Sequence, residues 1–324
     1  MFAHPAARPK EVESPMTSTS LASPPRSSSP IHERARLLQS FETALEAAGL
    51  SPATCRLYDH GVRRLYAFLE RLGLDAPLSG VSAEHLREWL NAERRAGASP
   101  ATIEALHKSA RRLWRFLLEE GEATEDVAAR LPVPKVPVKM VRALTREQIS
   151  ALCRTCQRDR TVLGLRDQAI IACLLDTGLR AAELLSLTVE GLDRRERRAL
   201  VMGKGARERL VSFEAKTLRL IDRYHRRAGI DAGQLFRGRS GEPLSQAALY
   251  LTIRRRGRQA SIEGLHPHRF RHTTASALLE AGLQEGDVRV IMGWSRQSHM
   301  LERYTASRAA ERALEARGRV RLLN

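Results

Sequence analysis

The chain is poor in several residue types, and each shortage excludes a class of protein. Four cysteines in 324 residues are too few for a disulfide-stapled scaffold and favour a reducing compartment. The longest uninterrupted apolar run is the seven residues Ala169–Leu175, whereas a membrane-spanning helix needs about 20. No charged-then-apolar leader is evident, so we expect no signal peptide. These shortages predict a cytoplasmic protein without a membrane partner.

Lysine is also scarce, although the chain as a whole is strongly basic. Lys and Arg total 54 against 37 Asp and Glu, a net charge of +17, and only six of the 54 are lysines. Residues 31–130 hold 14 basic and 15 acidic residues, while residues 131–324 hold 37 and 20. A positive field of that size favours a polyanion, most often nucleic acid. The alternative is a merely soluble, arginine-rich surface.

Composition divides the chain into four segments. Residues 1–30 contain six prolines and seven serines without apolar periodicity, which predicts a disordered tail. Residues 31–130 have the apolar spacing of about four helices, two of which begin at the repeated sequence SPAT, at 51 and 99. Residues 131–143 are rich in proline and predict an extended linker. Residues 144–324 form a second, larger domain.

The second domain reads as mainly helical with a small β-sheet. A Thr-x-x-Gln capping pattern begins it, from Thr145 to Gln148. Two short strands are predicted within 198–212 around a Gly-Lys-Gly turn, and a short helix near Leu179 with Arg180 in its first turn. The other predicted helices lie near 146–156, 163–177, 214–228, 245–257, 267–281, 284–293, 297–306 and 308–317.

Two basic clusters are candidates for contacts with DNA phosphates. One is a stripe opposite the apolar face of the fourth helix, formed by Lys108, Arg111, Arg112 and Arg115. The other is formed by Arg254, Arg255, Arg256 and Arg258. The alternative for both clusters is an ordinary solvated helix face.

Other polar residues stand in patterns that favour chemistry. Arg180 at a helix N-terminus, followed by Glu183, fits a bound anion, because such termini attract negative charge; the alternative is a surface ion pair. Lys204 lies in the predicted turn and, unlike arginine, can exchange a proton at an accessible pH; the alternative is a solvated turn lysine. His268 and Arg271 lie one helical turn apart.

Metal sites are not predicted. His268 and His272 have the spacing of a helical zinc pair, but the Glu expected between them and an evident third ligand are both absent. Cys153-x-x-Cys156 has no partner pair. Trp294 and Tyr304, taken singly, are aromatic residues of the kind that usually packs in a core.

The order of these residues resembles the signature of the tyrosine recombinases, the phage integrase family. On that pattern Arg180 and Arg271 match the two arginines, Glu183 an acidic supporting residue, Lys204 the hairpin lysine, and His268 the histidine of His-x-x-Arg. Trp294 lies where many members have His, and Tyr304 matches the nucleophile. Trp294 is limited to packing and an N–H hydrogen bond. The Trp294-to-Tyr304 interval is one residue longer than in Xer-type members.

The resemblance implies a fold and an activity. The fold is a SAM-like, core-binding helical bundle joined to an α+β catalytic domain, closing as a C-shaped clamp on DNA. The activity is site-specific recombination through a 3′-phosphotyrosyl intermediate and a Holliday junction, without metal, ATP or any other cofactor. Two permanently charged guanidiniums suit a phosphorane-like transition state. The chemistry fits equally a type IB topoisomerase-like enzyme, and the fold fits a non-catalytic DNA-binding protein.

The resemblance also implies partners and a location. The partners are duplex DNA with a specific recombination site, three further copies of the chain in a tetramer on DNA, and accessory DNA-bending proteins. The free protein is expected to be a monomer or a weak dimer, associated with the nucleoid. The residues after Tyr304 resemble the C-terminal helix and tail that docks onto a neighbour. Chromosome-dimer resolution and mobile-element integration both remain open.

Overall fold

The computed structural model describes residues 30–74, 78–137, 142–203, 208–295 and 317. The predicted disordered tail up to residue 29, the last two predicted helices apart from Arg317, and the side chains of Lys204 and Tyr304 lie outside these residues. The chain divides into two compact units, residues 1–138 and 139–324, and the division falls within the Pro-rich segment. Each unit is described by itself.

The N-terminal unit is a helical bundle whose helix starts follow local capping chemistry. Its helices are α1 (Pro30–Ala47), α2 (Pro52–Arg71), α3 (Ala83–Arg95) and α4 (Pro100–Glu119). Ser51 and Ser99 accept hydrogen bonds from the backbone N–H three residues on, at 3.3 and 3.2 Å, and a proline follows each serine. The predicted caps of the two SPAT helices are therefore confirmed.

The core of this bundle combines leucines with large aromatic side chains. Trp89 and Trp114 are buried between the helices together with Phe41 and a set of leucines. Glu93 is one of the buried polar side chains of this bundle, and it is paired with Arg64 of α2. Because an unpaired buried carboxylate is costly, this ion pair joins α2 and α3 within an apolar setting.

The second unit surrounds one almost completely buried helix. Its helices are α5 (Arg146–Arg158), α6 (Val162–Thr177), α7 (Ala181–Ser186), α8 (Ala215–Ala228), α9 (Gln246–Gln259), α10 (Pro267–Glu280) and α11 (Glu285–Met292). Helix α6 carries the long apolar run and packs against α5, α8 and α10. The capping box from Thr145 to Gln148 is present at the start of α5, as predicted.

A small antiparallel sheet completes the unit. Its strands, in spatial order, are β1 (Leu192–Asp193), β2 (Arg198–Met202) and β3 (Glu208–Ser212). The predicted hairpin of β2 and β3 is confirmed, with Val201 opposite Arg209. Strand β1 was not predicted, because two residues are too short to show an alternating pattern. The sequence therefore predicts the mainly helical fold with its small sheet correctly.

Candidate active site

The site is built first around Glu183, a buried carboxylate in the first turn of α7. Its side chain is 2% exposed and accepts hydrogen bonds from the Arg180 backbone N–H at 2.8 Å and from Arg180 Nη1 at 2.6 Å. Arg180 itself is extended and precedes the helix, which corrects its predicted place in the first turn. The carboxylate thus satisfies the free amide at the helix N-terminus, and the pair is not a surface ion pair.

Glu183 has a second cationic partner, Arg209 of β3. Arg209 Nη2 donates to Glu183 Oε2 at 2.9 Å, and only 11% of the Arg209 side chain is exposed. Burial alone raises the pKa of Glu183, but the Arg180 amide and the charges of Arg209 and Arg180 outweigh it, so that the pKa is lowered. Glu183 is therefore held ionised between two guanidiniums.

Helix α10 supplies the histidine and the second arginine. Arg271 is 1% exposed, and its Nη1 donates to the carbonyl of Gly178 at 2.8 Å, while its Nη2 donates to the carbonyl of Met292. Gly178 ends α6 in a left-handed conformation with φ of 61°. The positive φ favours glycine at this position, and a Cβ there would also lie 2.8 Å from Cε of Met292, so that the methionine would have to move.

His268 lies one turn before Arg271 on the same helix. Its ring meets that of His272 edge to face, with centroids 4.9 Å apart. His268 keeps an exposed surface, but partial desolvation by its neighbours, and then the positive charges of Arg271, His266 and Arg180, lower its pKa. Without DNA the ring is consequently neutral at pH 7, able to donate one hydrogen bond and accept another.

Trp294 follows the end of α11. That helix is capped by Gly293, whose φ is 59°. The backbone N–H of Trp294 donates to the carbonyl of Arg289 at 2.9 Å. The Arg271 guanidinium carbon lies 5.6 Å from the centre of the Trp294 ring, within range of a cation–π contact. The tryptophan therefore packs against one of the two predicted phosphate-binding arginines.

Three arginines converge on the end of α11. Arg209 Nη1 donates to the carbonyl of Ile291 at 2.8 Å. Arg271 Nη2 donates to the carbonyl of Met292, and Arg180 Nη2 donates to the carbonyl of Gly293 at 3.2 Å. Carbonyls in the last helical turn lack partners within the helix and carry the negative end of its dipole, so they suit cationic donors. This convergence joins α7, α10 and β3 to the segment that carries Trp294.

The structure thus brings Arg180, Glu183, His268, Arg271 and Trp294 into one part of the second unit. Lys204 and Tyr304 lie outside the described residues. In the sequence, Lys204 lies between strands β2 and β3. Positively charged donors gathered around a buried carboxylate can attract an anion.

The predicted basic stripe lies on α4 and is accessible. Lys108 pairs with Glu104 at 2.7 Å, and Arg111 bonds the carbonyl of Ala129 at 3.3 Å. Arg112 is 20% exposed beside Glu119, and Arg115 is exposed. Exposed ion pairs of this kind are weak and can be exchanged for phosphate contacts. The four side chains therefore remain predicted DNA contacts.

The second basic cluster contains a side chain that corrects the prediction. Arg254, Arg255 and Arg258 are exposed on α9, but Arg256 is 2% exposed. Arg256 bonds Asp159 at 2.6 Å and the fully buried Asp167 at 2.8 Å. A guanidinium enclosed by two carboxylates does not reach a DNA phosphate, so the prediction of a DNA contact at Arg256 is wrong. Its ion pairs instead hold α5, α6 and α9 together.

Arg209 is the residue that sequence reasoning missed. The signal was available in the alternation of β3, because Arg209 lies two residues before the buried Val211 and shares its side of the strand. An arginine on the inward side of a strand requires a buried partner. That partner, Glu183, lies 26 residues earlier in the chain.

Metal binding and membrane insertion each set requirements with which the described residues can be compared. Within those residues no group of three or more His, Cys, Asp or Glu side chains is placed to hold a metal ion. Across the same residues no helix is long and apolar enough to cross a membrane.

Family models match both units of the chain. The model of the phage integrase family matches residues 142–311, and that of the phage integrase N-terminal SAM-like domain matches residues 38–121. Among curated relatives, the tyrosine recombinase XerC of Chromohalobacter salexigens is 32% identical over 253 residues. That alignment covers 76% of this chain and 84% of the relative.

Solved structures share the fold at low sequence identity. A XerH site-specific recombinase bound to a palindromic difH substrate has a TM-score of 0.67 at 18% identity, covering 86% of this chain and 81% of that one. A lambda integrase tetramer bound to a Holliday junction has a TM-score of 0.66 at 17% identity, covering 84% of this chain and 76% of that one.

Proposed function

The chain belongs to the phage integrase family of tyrosine recombinases, and on that premise we propose that it recombines duplex DNA at a specific site through a covalent phosphotyrosyl intermediate. The observation that carries the proposal is the convergence of Arg180 and Arg271 on the end of α11, beside His268 and Trp294. Two guanidiniums at one place are suited to the non-bridging oxygens of a phosphodiester.

In the proposed first step the Tyr304 hydroxyl attacks the phosphorus. A bond forms between the tyrosine oxygen and phosphorus, and the bond from phosphorus to the 5′ oxygen breaks, leaving the DNA strand joined to the protein by its 3′ phosphate. Arg180 and Arg271 stabilise the charge that develops on the non-bridging oxygens. A guanidinium supplies this positive charge without a metal ion.

Proton transfers complete the proposed step. Lys204 donates the proton that the departing 5′ oxygen requires, and His268 bonds the phosphate and takes part in the proton transfer from Tyr304. The low pKa of His268 keeps the ring neutral, so that it can accept that proton. Trp294 packs on Arg271 and offers its N–H to the phosphate. Attack by the 5′ hydroxyl of a partner strand reverses the chemistry and reseals the DNA.

The proposed assembly is a tetramer on two DNA sites, which exchanges strands through a Holliday junction. A relative in fold is a tetramer bound to such a junction. In this proposal the phosphate contacts come from two groups of exposed basic side chains: Lys108, Arg111, Arg112 and Arg115 on α4, and Arg254, Arg255 and Arg258 on α9.

Removing the residues after Arg308 is expected to impair cross-linked assembly more than gel-shift binding to a single site. Equal losses in both assays contradict it.

The covalent step is tested with a suicide substrate. A nicked duplex built from DNA flanking the gene traps the protein when cleavage releases a short strand, and denaturing gels then detect the adduct. We expect an adduct with the wild type and none with Tyr304→Phe. An undiminished adduct in that variant refutes Tyr304 as the nucleophile. An adduct that reseals and relaxes any plasmid without exchanging partners favours a type IB topoisomerase-like enzyme. Binding of DNA without any adduct favours a non-catalytic DNA-binding protein.

A further inference from the structure

One arginine outside the predicted catalytic set contacts both parts of the site. Arg209 bonds Glu183 with Nη2 at 2.9 Å and the carbonyl of Ile291 with Nη1 at 2.8 Å. Glu183 in turn holds both the backbone and the guanidinium of Arg180. The side chain of Arg209 therefore lies between the start of α7 and the end of α11.

We propose that Arg209 is a positioning residue that fixes the end of α11, and with it Trp294, relative to Arg180. Its two nitrogens point in a fixed fork, so bonding to Glu183 with one nitrogen restricts where the other finds the Ile291 carbonyl. Trp294 lies three residues after Ile291, and its backbone N–H donates to the carbonyl of Arg289 in the same helix. A shift of the helix end thus moves the ring that packs on Arg271.

The close approach of Arg209 to Gly293 supports this role. A Cβ added at Gly293 would lie 2.8 Å from both Cδ and Nε of Arg209, so the arginine crosses the helix end where no side chain stands. Nε of Arg209 is buried there and has no hydrogen-bond partner among the described residues. The side chain is therefore held between the sheet and α11 and is directed away from solvent.

Strand β3 also begins four residues after Lys204 in the sequence. Arg209 consequently joins the base of the β2–β3 hairpin to the helix end beside Arg180 and Trp294. Its effect on catalysis rests on the proposed function, whereas its effect on the position of Trp294 does not. The two effects therefore need separate measurements.

Tryptophan resonances test the positioning directly. The chain has three tryptophans, and Trp89 and Trp114 are buried in the N-terminal bundle, so they serve as internal references. The protein is labelled with 5-fluorotryptophan, and the ¹⁹F signal of Trp294 is assigned from Trp294→Phe. In Arg209→Lys, which keeps the charge but not the fork, the Trp294 signal is expected to shift or broaden while the other two stay unchanged. Arg198→Lys, an exposed change on β2, is the matched control and should leave all three signals in place.

The second measurement separates catalysis from binding. With the same suicide substrate, Arg209→Lys is expected to slow adduct formation by about 10- to 100-fold, the range for a small misplacement of reacting groups. DNA affinity by gel shift should stay within about twofold, because Arg209→Lys keeps the positive charge and Arg209 is not among the proposed phosphate contacts. Arg209→Gln, which lacks both charge and fork, should show at least the same changes.

Particular outcomes overturn the inference. If folded Arg209→Lys and Arg209→Gln both keep the wild-type Trp294 signal, Arg209 does not position the helix end. The same holds if the signals of all three tryptophans change together, since that indicates general loss of structure. If the wild type itself forms no adduct, the proposed function fails, while the Trp294 signal still decides the positioning role.

Discussion

Replacement of Glu183 by glutamine is expected to destabilise the second unit strongly. Glu183 is 2% exposed and accepts hydrogen bonds from two guanidiniums and one backbone amide. Glutamine keeps the size of the side chain but has one acceptor oxygen, and its amide group directs donors at the donors of Arg180 or Arg209. Arg209, only 11% exposed, then remains charged without a carboxylate beside it.

The expected loss of unfolding free energy in Glu183→Gln follows from these contacts. Breaking a buried ion pair by removing one partner costs about 3–5 kcal/mol. The 30% exposed Arg180 side chain can turn towards solvent, so we take the lower end, about 3 kcal/mol. For a domain of this size each kcal/mol corresponds to about 2–4 °C in Tm, which gives a loss of about 6–12 °C.

The assay is urea and thermal unfolding followed by circular dichroism at pH 7. Glu280→Gln removes the same charge from an exposed position at the end of α10 and serves as the control, with an expected change below about 0.5 kcal/mol. A Glu183→Gln loss no larger than that of the control would show that the carboxylate is not the centre of the site. Because the pKa of Glu183 is lowered by folding, a pH below about 4.5 protonates this carboxylate in the unfolded chain while the folded chain keeps it ionised. The advantage of the wild type should therefore diminish as the pH falls from about 4.5 towards the pKa of the folded state.

Three further predictions concern other parts of the chain. A methyl group at Gly61 would overlap the Ser109 side chain where α2 meets α4. Gly61→Ala should therefore lower the unfolding free energy, measured with urea, by about 1–3 kcal/mol, although alanine has the better helix propensity. Adding Ser109→Gly should relieve that loss. Burial lowers the pKa of His225, so the folded chain binds fewer protons than the unfolded chain, and stability should decline as the pH falls below about 6.5. His225→Gln should reduce the dependence of the unfolding free energy on pH by at most about 1.4 kcal/mol per pH unit. An unchanged pH dependence in that variant contradicts the role of His225. Arg254→Gln should reduce the salt slope of DNA binding by about 1. Arg256→Gln, which also removes one charge, should leave the slope unchanged and lower the unfolding free energy by about 3 kcal/mol; a reduced slope for Arg256→Gln would return that residue to the DNA contacts.

Local structure followed closely from local sequence. The serines of the two SPAT repeats and Thr145 begin their helices as predicted, because a cap is a contact between residues only three positions apart. The β2–β3 hairpin was predicted for the same reason. The helix after Gly178 was placed too early by about two residues, since the extended conformation of Arg180 depends on the buried carboxylate of Glu183.

The sequence by itself determined the family, through the order and chemical types of Arg180, His268, Arg271 and the residues that follow them. Only the tertiary structure decided which charged side chains face solvent. Arg256 is buried because Asp167, 89 positions earlier, reaches it across the packed helices. Long polar side chains look alike in a sequence whether they are solvated or enclosed, since the distant partner that makes burial tolerable appears only when the chain has folded.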